Sequence, residues 1–382
     1  MVKQLLWKNS KDSNPGKIKS NRGRKRTALE IDTISSSKSS KRPSKRLRRN
    51  TRLRRRKVRI YNIRNRKLGI VDPNIDDDLS DFISQKSLTL RWKGLLNLGN
   101  SCYFNSVLQC LYHCPTFKGA IETVTLEALS IAVVKQLQML FVDMGAVSHF
   151  DYINPTKCLT AAMNIPKCKR AGMKVNGPQQ DAGEFLVHLL EHLEEKWKSL
   201  SDIFEGEFVS THTCQHCFYT IIKHQPFKLF TLQMDLPSML EIKKLNLYKL
   251  MNYFQRATIL DGYGCPYCRT QNSTQKEITL NALPRVLVIV LSRFRGLIKL
   301  DKYVGFPAQL SIKYTTDENE YNAMYRIMGI VVHIGPSIAS GHYIAYVRSE
   351  EKWFKMNDNI VSEVRWETVR SKEAYLIMYE QM

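Results

Sequence analysis

The sequence predicts an α+β domain behind a basic N-terminal arm, and three observations carry that expectation. Apolar residues recur at helical spacing in three stretches between residues 102 and 197. After residue 203 they alternate with polar residues, or run uninterrupted as in VLVIVL (286–291), which is how half-buried and fully buried strands read. Charge changes abruptly near residue 67. Residues 1–67 carry 25 Lys/Arg against 3 Asp/Glu, a net +22, while residues 68–382 carry 33 against 32, a net +1. The chain's +23 therefore sits almost entirely in the arm.

The arm is poor in apolar residues and rich in Ser, Asn and Arg, too little to bury against the cost of ordering, so residues 1–67 are expected to be disordered. Its clusters RGRKR (22–26), KRPSKRLRR (41–49) and RLRRRKVR (52–59) predict a nuclear or nucleolar address and a surface for nucleic acid, chromatin or an acidic protein face. The competing reading is a solvated tail that aids solubility. No aromatic residue interrupts the clusters, so base stacking has no support. Residues 68–91, including DPNIDDDLSDF (72–82), read as an acidic linker, and the body begins near Trp92. The nine cysteines are odd in number, MVKQLLWKNSKDSNPG has no apolar leader core, and VLVIVL is too short to span a bilayer. The expectation is a soluble intracellular protein with reduced thiols and no membrane partner.

Within the body, GLLNLGNSCYFNSVLQCLY (94–112) places Cys102 directly after the turn formers Gly99 and Asn100. There it opens a helix on which Phe104, Val107, Leu108 and Leu111 line up. Free N–H groups and the helix dipole at such a position stabilise a thiolate, although a lone cysteine is more often a packing group. A second helix is expected over Leu126–Phe141, with Leu129, Val133, Leu137 and Leu140 in its stripe, and a basic loop over Lys167–Gly177. QQDAGEFLVHLLEHLEEKW (179–197) predicts a third helix with Phe185, Leu186, Leu189, Leu190, Leu193 and Trp197 inward, and Asp181 with Glu184 as its cap. His188, Glu191 and His192 spell H-x-x-E-H, an inverted zinc-protease signature. They lie opposite the leucine stripe, where solvated polar residues are the simpler reading.

FEGEFVSTHTC (204–214) and FKLFTLQMDL (227–236) alternate as strands. Beside them, Cys214-Gln-His-Cys217 and Cys265-Pro-Tyr-Cys268 form two CxxC knuckles separated by 47 residues. Each knuckle points two thiolates at one place, which suits a single tetrahedral structural zinc. A redox pair and four unrelated buried thiols are the alternatives, and a helix near 241–256 must loop out between the knuckles. LPRVLVIVLSRF (283–294), YRIMGIVVHIG (325–335) and HYIAYVRS (342–349) are further strands, and EKWFKMNDNIV (351–361) follows across a short turn. A turn centred near Ser349–Glu351 sets residue 342 against residues 357–359. His342 therefore meets Asn357 or Asp358, and with Cys102 they make a Cys–His–Asn/Asp set of the papain type. His333, inside an apolar strand, is read as structural.

Over residues 92–382 these motifs resemble the ubiquitin-specific proteases, cysteine deubiquitinases with a papain-like thumb and palm and zinc-ribbon fingers. GLLNLGNSCYFNSVLQCL resembles the family's cysteine box, QQDAGEF its second box, LSRF and the Phe306-Pro307 pair its later core strands, and SGHYIAYV with WFKMNDNIV its histidine box. The resemblance implies Cys102 as nucleophile, His342 as general base, Asn357 as its orienting partner, Asp358 in support, Asn97 as oxyanion donor and Asp181 as a contact of the ubiquitin tail. It also implies a structural zinc on Cys214, Cys217, Cys265 and Cys268 in fingers spanning about 203–282, and no catalytic cofactor. Expected partners are ubiquitin, ubiquitinated nuclear proteins such as histones, and an activating complex. Gly183 stands where the family has histidine, Ser101 where it has threonine and Ser292 where it has lysine; none of these departures removes a catalytic group. Two rival readings share parts of the pattern: a catalytically weak ubiquitin-binding scaffold, and a zinc-ribbon nucleic-acid-binding protein, which leaves Cys102 and His342 unexplained.

Overall fold

The computed structural model describes residues 92–125, 128–148, 150–234, 244–296, 298–316 and 319–382. The expectations for the basic arm and the acidic linker lie outside the described residues. Helices come first. Cys102–Tyr112 (α1), Pro115–Glu122 (α2), Ala132–Gly145 (α3), Thr156–Met163 (α4), Pro166–Arg170 (α5) and Ala182–Lys196 (α6) form the thumb side of the fold. The helix expected from residue 126 begins at Ala132 and runs on to Gly145. Ala128–Ser130 make a 3-10 turn and Ile131 is extended (ψ 116°), so the chain breaks between Leu129 and Val133 although both face inward. The loop expected over Lys167–Gly177 opens instead with α5. Pro166 sits at its first turn, where the missing N–H costs nothing, and Gly172 (φ 76°) ends it, with Met173 N–H donating to the Cys168 carbonyl.

Strands follow: Gly206–Cys214 (β1), Thr220–Phe227 (β2), Leu229–Gln233 (β3), Thr258–Ile259 (β4), Thr274–Ala282 (β5), Val286–Ser292 (β6), Gln309–Thr316 (β7), Asn319–Ser337 (β8), Ser340–Ser349 (β9), Lys352–Asn357 (β10), Ile360–Val364 (β11) and Ala374–Gln381 (β12). The large palm sheet has the order β11-β10-β9-β8-β12-β6-β3, with β7 paired to β8, and only the β3–β6 pair is parallel. The fingers are a smaller sheet of order β2-β1-β5-β4. β3 leaves that ribbon to join the palm, so the stretch expected as fingers over 203–282 is interrupted. Leu247–Gln255 (α7) is the helix expected between the knuckles.

Burial explains the unbroken run in β6. Val286, Val288 and Val290 face the helices, while Leu287, Ile289 and Leu291 face a second core that includes Leu247, Leu250 and Met251 of α7. A strand covered on both faces has no side to make polar. α1 is buried along its entire length, wedged between the palm sheet and α6, so even its Asn105, Ser106 and Gln109 are inside. Phe185 of α6 packs its ring against Tyr103 and Phe104 of α1 at centroid distances of 5.7 and 5.4 Å. No helix among the described residues is long and apolar enough to cross a membrane.

Candidate active site

Three segments meet at one end of the palm. The first is the turn before α1, where Gly99 (φ 69°) and Asn100 (φ 46°) adopt left-handed backbone and deliver Cys102 to the helix start, 2% exposed. The second is β9, whose pairing with β10 runs from Ser349↔Lys352 to Ala345↔Met356 around the turn residues Glu350 and Glu351. The third is the next turn. The strand expected over 351–361 breaks at Asp358 (φ 49°), and β10 reverses into β11 with Asn357 opposite Ile360. This reversal separates Asn357 and Asp358, which are adjacent in sequence, into two different contacts.

Asn357 Oδ1 lies 2.6 Å from His342 Nε2, and the Cys102 thiol acts on the same imidazole strongly enough to raise its pKa. With Asn357 on Nε2, Nδ1 is the nitrogen left for the thiol. Cys102 does most to raise the His342 pKa, to about 9; Asn357 and the charge of Asp358 add to it, and burial opposes it. Asp358 Oδ2 stands 3.8 Å from His342 Nε2 and accepts from Asn97 Nδ2 at 2.8 Å, while its Oδ1 accepts from Asn105 Nδ2 at 2.8 Å. Asn97 Oδ1 accepts in turn from the Ser101 N–H at 3.2 Å and the Ser101 hydroxyl at 3.3 Å. Thus Cys102, His342, Asn357, Asp358 and Asn97, expected together, are together.

Asp181 sits nearby as the N-cap of α6. Its Oδ1 accepts from the N–H groups of Gly183 (2.6 Å) and Glu184 (3.1 Å) and from the Tyr375 hydroxyl (2.6 Å). Burial raises its pKa above the ordinary carboxylate value, against the pull of these donors. At Gly183 a side chain would meet that hydroxyl at 2.9 Å, so the small residue leaves room for the Tyr375–Asp181 bond. His333 is buried against Phe294 and Tyr343, with Nε2 3.0 Å from Gln179 Nε2; burial first, then Lys299, lowers its pKa to about 4, which suits a structural histidine.

The H-x-x-E-H residues of α6 are less solvated than expected. The His188 side chain is 13% exposed between Glu184 (3.6 Å) and Glu191 (3.9 Å), because α5 crosses this face and Lys167 pairs with Glu191 at 2.8 Å. Among the described residues, the four knuckle cysteines are the group whose ligand atoms converge, all within 4.8 Å of one another. Cys214 and Cys268 sulfurs are 3.7 Å apart, as are those of Cys217 and Cys265. A tetrahedron with Zn–S bonds of about 2.3 Å has edges of about 3.8 Å, so the four thiols fit a zinc ion. Each knuckle closes the same way. A left-handed residue, Phe218 (φ 61°) or Arg269 (φ 62°), follows the second cysteine and donates its N–H to the carbonyl of the first, at 2.9 and 2.8 Å.

Sequence reasoning missed two parts of the site. Asn105, three residues after Cys102, is a fully buried amide in an apolar helix, and that polar interruption was the signal. Gly94 lies under the Asp358 turn, where a Cβ would come within 2.5 Å of the Asp358 carbonyl oxygen, and nothing in its own sequence context marks it.

The helical thumb, antiparallel palm and cysteine-knuckled ribbon define a papain-like α+β protein with zinc-ribbon fingers. The chain belongs to the ubiquitin carboxyl-terminal hydrolase family, whose sequence profile matches residues 93–379. It is 30% identical over 321 residues to the ubiquitin carboxyl-terminal hydrolase 17-like protein B of Mus musculus, covering 75% of this chain and 63% of that protein. To ubiquitin carboxyl-terminal hydrolase 8 of Saccharomyces cerevisiae it is 28% identical over 346 residues, covering 75% and 70%. Among solved structures it resembles a chain of the SAGA Ubp8/Sgf11/Sus1/Sgf73 DUB module bound to ubiquitin aldehyde, with TM-score 0.65, 25% identity, and coverage of 81% of this chain and 76% of that one. The chain spans between 35% and 63% of the length of several curated relatives it matches.

Proposed function

We propose that this protein is a thiol-dependent deubiquitinase that hydrolyses isopeptide and peptide bonds at the C-terminal glycine of ubiquitin. The observation that carries the reading is the Cys102–His342–Asn357 constellation in a chain of this family. His342 accepts the Cys102 proton as sulfur attacks the scissile carbonyl, and the C–S bond forms. With its pKa raised to about 9, the imidazolium keeps that proton near neutral pH and passes it to the departing lysine amine as the C–N bond breaks. Water, deprotonated by the same imidazole, then hydrolyses the thioester and returns the thiol. Asn357 holds the ring so that the other nitrogen faces sulfur. One Asn97 amide hydrogen is engaged by Asp358, and the second serves the oxyanion. Asp181 Oδ2, the oxygen not used in capping, receives the ubiquitin tail. The four knuckle cysteines would hold one structural zinc, a cross-link that would stiffen the fingers beside ubiquitin's globular part.

The basic arm places the enzyme in the nucleus, with access to chromatin and to ubiquitinated histones. The relation to a SAGA module supports that location and an activating complex. The test is incubation with ubiquitin bearing a C-terminal electrophile, followed by mass spectrometry. A covalent adduct on Cys102, absent from Cys102→Ala, is expected. Ubiquitin binding without any adduct would count against an enzyme that works alone and leave two readings, a scaffold or an enzyme awaiting its activating partner.

A further inference from the structure

Asp358 draws its two hydrogen-bond donors from the segment that carries the nucleophile, not from its own hairpin. Asn97 precedes Cys102 by five residues and donates to Oδ2; Asn105 follows it by three, on α1, and donates to Oδ1, both at 2.8 Å. The Asp358 side chain is 10% exposed, and its backbone carbonyl accepts the Leu95 N–H at 2.8 Å. The cysteine segment therefore grips this one residue of the histidine hairpin at three points.

Asn105 itself is 2% exposed, and its Nδ2 also reaches the Leu95 and Leu96 carbonyls at 3.2 and 3.4 Å, while its Oδ1 is buried with no partner. The amide orientation follows from chemistry, since the reverse flip would set Oδ1 against a carboxylate oxygen and two carbonyls. An apolar residue would pack in this helix without an orphaned oxygen, so the amide is costly for stability and needs another account.

We infer that Asn105 is a positioning residue of the reaction. Through Asp358 it locks the histidine hairpin to the cysteine helix, so that His342 stays in line with Cys102. Asn357 orients the ring from within the hairpin, whereas Asn105 sets where the hairpin stands relative to sulfur. The inference rests on the proposed activity. It makes α1 and the hairpin one rigid unit, and small displacements of catalytic groups are known to cost large factors in rate.

The test is a double-mutant cycle on the full chain with ubiquitin carrying a C-terminal fluorogenic amide. Wild type, Asn105→Leu, Asp358→Asn and the double variant are compared from neutral to alkaline pH. Each single change is expected to lower kcat by about tenfold or more with KM nearly unchanged. Each is also expected to move the alkaline limb below the wild-type value. The double variant is expected to be no slower than the worse single one, because both changes break the same link. Asn105→Ala replaces the leucine variant if that chain does not melt cooperatively. Multiplicative losses in kcat, an unmoved alkaline limb, or losses confined to KM would overturn the inference and leave Asn105 as a packing residue. A wild-type chain that fails to turn over would instead count against the proposed activity.

Discussion

Replacing Asp181 by alanine tests whether this carboxylate is part of the fold as well as of the proposed ubiquitin contact. Its Oδ1 serves three donors: two N–H groups at the start of α6, and the Tyr375 hydroxyl at 2.6 Å. Loss of an N-cap costs about 1 kcal/mol. The deeply buried Tyr375 hydroxyl, left without an acceptor, adds about 1–3 kcal/mol. Removing a carboxylate whose charged form is disfavoured by burial gives some of this back, so the expected net loss is about 2 kcal/mol near neutral pH. Urea denaturation of the full chain, followed by tryptophan fluorescence, measures it. Asp181→Asn keeps an oxygen for the donors and should stay within about 1 kcal/mol of wild type. The sign of the pH dependence is a second check. Because the folded pKa lies above the ordinary 3.8, Asp181 contributes stability that is present below 3.8 and lost as pH rises through the folded value, and Asp181→Asn should abolish that slope. A stability of Asp181→Ala within about 0.5 kcal/mol of wild type would refute the capping argument. If kcat/KM falls much further than the folded fraction, the carboxylate also meets substrate.

Three other outcomes are expected. The alkaline limb of kcat/KM should lie near 9, where His342 loses its proton, and Asn357→Ala, which removes one of the bonds raising that value, should move it lower; a limb indifferent to residue 357 would dissociate Asn357 from the imidazole. Gly94→Ala should reduce kcat sharply, because its Cβ would meet the Asp358 carbonyl oxygen and Asn359 backbone carbon at 2.5 Å, and steady-state kinetics beside a melting curve will show whether the turn, rather than the whole fold, has shifted. Metal analysis should find one zinc per chain, and Cys265→Ser should lose it and expose the fingers to protease, while alkylation of Cys102 by a small haloacetamide continues; retention of zinc would mean the four thiols are not its ligands.

Much of the site was legible because its chemistry is local. A thiol after Gly99-Asn100 at a helix start, an Asp181 cap three residues before Glu184, and two knuckles with fixed spacing are each set by backbone rules acting over four or five residues. The turn brought His342 to the right end of the partner strand but did not choose between Asn357 and Asp358: the register Ser349↔Lys352 to Ala345↔Met356, if continued, sets residue 342 against 359, and Asn357 reaches the imidazole diagonally. Element boundaries fared worse where tertiary packing chose between near-equal local options. Leu129 and Val133 share a helical phase, yet the chain breaks at the extended Ile131; the basic stretch Lys167–Gly177 looks like loop, yet Pro166 starts a short helix whose Lys167 pairs with Glu191.

By itself, the sequence determined the α+β order, the charge division between arm and body, the candidate thiol and imidazole, and the four-cysteine set. These depend on composition, period and short-range spacing, all of which one chain displays. Only the tertiary structure decided that β3 leaves the ribbon for the palm, that Asn357 and Asp358 part ways at a left-handed turn, and that Asn97 and Asn105 converge on one carboxylate. The Asn97 and Asn105 bonds to Asp358 join residues 261 and 253 positions apart, and no local rule records a hydrogen bond that exists only once two separately folded segments have packed together.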